Sequence, residues 1–167
     1  SSGHGTLLLK PVADGFSVAG EFPPGWSGTS GALVVDSPSP GRYIGYSIET
    51  GGVWMADISA FQAIGSGTIP SQKVSDAPVT SGISGGRIAV LGARRFLVYD
   101  IGAKLVVLDV SNPGPAGNLT SGISILSQLT SGDFGFPAGI PIRNFATGVF
   151  NGKLYVLIEA NSNSEPT

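Results

Sequence analysis

Residues 87–113 read RIAVLGARRFLVYDIGAKLVVLDVSNP, and this stretch decides the fold. Three short runs rich in apolar and β-branched residues, 87–91, 95–100 and 104–110, are separated by Gly92-Ala93 and by Ile101-Gly102-Ala103. Apolar runs this short, bounded by turn residues, predict three strands in a row.

The flanking sequence repeats the pattern. ALVVD at 32–36, RYIGYSI at 42–48 and GVWMADI at 52–58 read as three more strands, with Tyr43 and Gly45 on one face of the second. Runs 144–150 and 153–160 are joined by Asn151-Gly152, the strongest short-range hairpin signal. Runs 68–74 and 123–129 read as looser outer strands, the first broken by Pro70 and so suited to an edge. Runs 6–10 and 16–22 read as strands near the start. Residues 59–64 allow a single helical turn, too short to stand alone. No amphipathic helix is legible, so the fold class is all-β.

Set against 87–111, residues 32–59 place Tyr43 on Phe96 and Tyr46 on Tyr99. One residue of slip then brings Asp57-Ile58-Ser59 onto Asp109-Val110-Ser111, and Lys153-Leu154 falls on Arg95-Phe96. The organisation expected is an N-terminal strand with a Gly/Pro/Ser-rich loop (1–31), repeat unit one (32–86), unit two (87–143), and a partial third unit with a tail (144–167). Repeats of about 40–50 residues with four antiparallel strands are typical of β-propeller blades. Two full units and part of a third leave open strand edges, which favour association. The partners expected are further copies of the chain or the remainder of a longer one. A β-sandwich built from short strands is the alternative.

LVVLDVSNPGP at 105–115 resembles the LVIVD-type propeller repeat, in which an apolar strand ends in Asp-x-Ser-x-Pro. VWMADIS at 53–59 is a weaker copy, with Ala60-Phe61 where Asn-Pro would stand. The resemblance covers about half the chain. It implies a propeller with a role in surface attachment or binding, and it carries no catalytic residues to transfer.

Composition narrows the function. Charged residues make 12% of the 167-residue chain and the net charge is −2, which argues against nucleic acid or an anionic membrane surface as partner. No apolar run approaches the roughly 20 residues of a membrane helix. There is no cysteine, hence no disulfide framework. Few Lys and Glu with abundant Ser, Thr and Gly point to an extracellular or cell-surface protein. The chain starts at Ser1 without Met and is read as processed, tagged or a fragment, with residues 1–5 a tag remnant or a mature end.

The only histidine is His4, so neither a Ser-His-Asp triad nor a histidine metal site is expected, and no cofactor. Asp36, Glu49, Asp100 and Asp109 read as solvated strand ends. Asp57 and Asp109, each followed two residues later by Ser, read as caps for the backbone of the next turn. Calcium at either Asp is the rival reading. Candidate ligand or partner contacts are Trp26 in a Pro/Gly/Ser loop, Trp54 in a strand, and Tyr43. The bland reading for all three is packing, as it is for Tyr46 and Tyr99. Asn118-Leu119-Thr120 is a glycosylation sequon, meaningful only in a eukaryotic secreted protein. Three functions stay open: a non-enzymatic extracellular module binding a glycan or protein, a structural subunit joined through open strand edges, and a segment of a larger secreted enzyme.

Overall fold

The computed structural model describes residues 7–21, 31–49, 51–59, 69–79 and 82–160. Its strands are β1 (Leu7–Val12), β2 (Gly15–Glu21), β3 (Ala32–Ser39), β4 (Arg42–Glu49), β5 (Gly52–Asp57) and β6 (Gln72–Val74). They continue as β7 (Gly86–Leu91), β8 (Arg94–Asp100), β9 (Lys104–Asp109), β10 (Ser124–Thr130), β11 (Ile142–Phe150) and β12 (Lys153–Ala160). All pairing is antiparallel. The leading hairpin is β1–β2, the first sheet β3-β4-β5-β6, the second sheet β7-β8-β9-β10, and the trailing hairpin β11–β12. None of these sheets closes on itself, and the class is all-β as the strand pattern implies.

Local chemistry explains the hairpins. Asn151 and Gly152 both take positive φ, 48° and 69°, the type I′ geometry whose twist matches the flanking strands. The outer strand expected at 68–74 is only Gln72–Val74, because Pro70 donates no ladder hydrogen bond. The helical turn expected at 59–64 lies outside the described residues beyond Ser59. The loop after β10 instead holds a 3-10 turn, Ser131–Phe134, entered through a capping box between Thr130 and Asp133.

The backbone register corrects the repeat alignment by one residue. Each first hairpin turn is two residues long and is followed by a cation: Ser39 pairs with Arg42, Leu91 with Arg94, Phe150 with Lys153. Ile44, not Tyr43, therefore stands with Phe96, and Tyr46 stands with Val98. Lys153 stands with Arg94, which puts Tyr155 and Leu157 at the positions of Phe96 and Val98. No slip is then needed at the strand ends, since Ile44 pairs with Asp57 as Phe96 pairs with Asp109.

This register makes the sheets stack in one direction. The first sheet sends Ile44, Tyr46, Ile48, Val53 and Met55 forward onto Leu97, Tyr99, Val106 and Leu108 of the second. The second sheet sends Phe96, Val98 and Leu105 forward onto Phe145, Leu154, Val156 and Ile158 of the trailing hairpin. The leading hairpin lies on the rear of the first sheet, where Leu8 packs with Trp54, Ala56, Ile58 and Ile69. First strands β3, β7 and β11 are neighbours from sheet to sheet. Between the outer strands, Leu119 of a 3-10 turn (Leu119–Gly122) fills the gap and donates its N–H to Gln72 Oε1 at 2.7 Å.

The hydroxyl of Tyr46 is buried between the first two sheets with no hydrogen-bond partner among the described residues. Burial pushes its phenol up, Asp36 adds to this, and Arg95 and Arg42 oppose it. Burial raises Tyr99 in the same way. Below about pH 10 folded and unfolded chains both keep these protons; above it the unfolded chain loses them first, so stability falls as pH rises. In urea titrations Tyr46→Phe is expected to gain about 1 kcal/mol at neutral pH and to soften the alkaline loss. A net destabilisation would refute the unpartnered hydroxyl.

Candidate functional site

Charged side chains stitch the first two sheets together. Arg95 of β8 donates Nε to Asp36 Oδ2 at 2.8 Å and Oδ1 at 3.0 Å, across to β3. Arg42 pairs with Asp57 at 3.2 Å and donates Nη1 to the Pro113 carbonyl at 2.9 Å and Nη2 to that of Gly114. The Asp-x-Ser ends behave alike. Asp57 accepts from the Ser59 amide at 3.1 Å and from its hydroxyl. Asp109 accepts from the Ser111 amide at 3.0 Å, from its hydroxyl, and from Arg94 at 3.1 Å. Burial pushes the Asp109 carboxyl up, but the Ser111 hydroxyl and amide and Arg94 outweigh it and hold it below the usual range.

The solvated reading fails for three of the four carboxylates. Asp36, Glu49 and Asp100 are buried. Asp36 is neutralised by Arg95, Glu49 accepts from Ser47, and Asp100 accepts from the Ser84 and Gly85 amides at 2.8–2.9 Å. Such groups leave water only when paired or hydrogen-bonded. Their acceptors serve the fold. Among the described residues no group of three or more His, Cys, Asp or Glu gathers in a metal-binding arrangement.

The rear of the first sheet is different. Leu8 of the leading hairpin packs over β5, and Leu33, Val35 and Tyr43 of β3 and β4 stay exposed. A cleft of about 500 Å³ opens there, lined by Leu8, Leu9, Pro11, Gly41, Tyr43, Ile58 and Ser59. Beside it on the same face stand Leu33 and Val35 of β3, 58% and 62% exposed, and Tyr43 is 47% exposed. In the second sheet the same positions carry Gly86, Ile88 and Arg95, all turned toward the first sheet. The lining is mostly aliphatic, with one aromatic ring and the hydroxyl of Ser59, which is already committed to Asp57.

Of the sequence-predicted contacts, Tyr43 is in this cleft. Trp54 shares the face but sits at its far end, half-buried, with Lys73 Nζ 6.0 Å from its ring centroid. Trp26 lies outside the described residues. Leu33 and Val35 read as ordinary strand residues in ALVVD, and nothing local marks them as bare. At the other end of the stack, Phe150, Tyr155 and Leu157 are also exposed, and a shallower depression of about 300 Å³ runs along Asn144, Ala146, Leu157 and Glu159. Asn118 of the sequon is exposed.

No family model, curated protein or solved structure matches the chain.

Arg95→Met leaves Asp36 charged and buried, and is expected to cost about 3 kcal/mol in urea unfolding. Adding Asp36→Asn should restore most of it; additive losses would refute the coupling. Because Asp109 is depressed, its stabilisation is full above about pH 4 and lost as pH falls through its folded value. Ser111→Ala should therefore lower stability at pH 6 and reduce the further loss on acidification, measured by thermal melts across pH.

Proposed function

We propose that the sheets are successive blades of a propeller-type array and that the chain is a non-enzymatic binding module, holding its partner on the bare inner half of the first sheet around Tyr43. The blade reading is supported by two four-stranded meanders in the same register, each turning one face forward onto the next, with first strands gathered side by side. The shared hydrogen bonding of the Asp-x-Ser ends at Asp57 and Asp109 supports the same reading. An extracellular or cell-surface setting rests on composition.

The single observation that carries the binding reading is a contrast at equivalent positions. Gly86 and Ile88 are covered by a neighbouring sheet; Leu33 and Val35 are open to water. Contiguous apolar patches of this kind mark interaction sites more often than they are left idle. Of the two ligand classes, glycan and protein, the aliphatic lining favours protein. Sugar rings need several polar partners beside the aromatic face, whereas Leu33, Val35 and Leu9 offer none.

The test is a displayed random-peptide library panned against the immobilised chain carrying Leu157→Asp, a substitution at the other end of the stack from this surface. Recovered peptides are expected to alternate apolar residues, and to lose at least about tenfold in affinity to Val35→Asp and to Tyr43→Ala. Binders indifferent to both substitutions would overturn the reading.

A further inference from the structure

We propose that the partner of this surface is a second copy of the same chain, joined head to tail, so that the trailing hairpin of one copy covers the inner half of the first sheet of the other. This rests on the binding-module reading above and names its partner.

The junction between the first and second sheets serves as the template. Leu157 stands in register with Tyr46 and Val98. Those two are 1% and 0% exposed because another sheet lies ahead of them; Leu157 is 76% exposed because none does. Among the described residues nothing lies in front of the forward face of the trailing hairpin, and nothing lies behind the inner rear face of the first sheet. Each is the half that the other lacks.

Residues at the two faces compensate. Between the first and second sheets, Arg95 meets Asp36. In register, Tyr43 stands for Arg95 and Gly148 stands for Asp36. An aromatic ring would then meet a bare glycine, whose missing side chain leaves open space within 4 Å, so no carboxylate stands at the Asp36 position; Glu159 stands at the position of Ile48. A second pair shifts the same way. A Cβ on Gly86 would collide with Ile48 Cδ1 and lie 3.0 Å from Val34 Cγ2. At the proposed junction Leu33 stands for Gly86 and Ala146 for Val34, so volume gained on one side is given up on the other.

Strand numbers agree as well. The trailing hairpin supplies a first and second strand. The leading hairpin of the other copy, already packed over β5, supplies a third and fourth. Phe16 and Val18 on its second strand are exposed and add apolar surface on that side. The described strands of each chain then make up three four-stranded sheets. Two copies make six, inside the range of about four to eight at which propellers close. Head-to-tail contacts of this kind form rings when the rotation closes.

Sedimentation velocity on the purified chain is the first measurement. The expected result is a concentration-independent species of about twice the 16.9 kDa chain mass, converted to a single-chain species by Leu157→Asp with the β-sheet circular dichroism kept. Because the chain has no cysteine, a Leu33→Cys, Ala146→Cys double variant should oxidise to a disulfide-linked dimer, and neither single variant should. Within one chain these two positions lie at opposite ends of the stack, and a disulfide needs Cα atoms within about 7 Å. Monomers up to about 1 mM, with no cross-link, would overturn the proposal. If peptide binding sensitive to Val35→Asp persisted in those monomers, the binding-module reading would stand while the self-partner fell. Open-ended polymers lost on Leu157→Asp would overturn closure at two copies.

Discussion

Val98 and Tyr99 are consecutive on β8, point to opposite faces, and are both fully buried. A strand so apolar on both sides cannot belong to a sheet with a wet face, so the second sheet requires a neighbour in front and another behind. Each fully buried side chain of this size is worth roughly 1.5–3 kcal/mol relative to exposure. The two clusters that cover these faces join the first sheet, the second sheet and the trailing hairpin into one row. Everything else in the molecule follows from how far that row is carried.

The polar stitching sets how the layers sit on one another. Apolar faces tolerate sliding, whereas the Arg95–Asp36 pair spans the junction and does not. Arg42 reaches past its own sheet to two carbonyls of the turn after β9, tying the end of one unit to the start of the other. The Asp-x-Ser ends hold that turn in shape locally. Acidic residues that look like ordinary strand termini in the sequence are in this way withdrawn from solvent and committed to the architecture.

Where the row stops, the same pattern that builds the core becomes a surface. Leu157 is not unusual as a residue; it is unusual because its counterparts are buried. The same holds for Leu33 and Val35. The cleft at Tyr43 lies where Leu8 of the leading hairpin packs over β5 and Leu33, Val35 and Tyr43 stay exposed. The exposed apolar surface here is a consequence of incomplete coverage by the described strands.

Much of the strand pattern was legible from residues alone, because alternation, glycine turns and an Asn-Gly hairpin act within a few residues of one another. Strand β12 was read with its observed ends, and β8 and β10 within one residue. The alignment of 32–59 with 87–111 is one residue out of the backbone register of the two sheets, since it matches aromatic residues by type while the backbone aligns the cation after each turn. Tyr43 was singled out as a candidate contact; Leu33, Val35 and Leu157 were not. Period-two alternation tells which residues share a face and that apolar ones prefer cover. Which sheet provides that cover, and where none does, depends on contacts between residues more than fifty positions apart, and only the tertiary structure decides it.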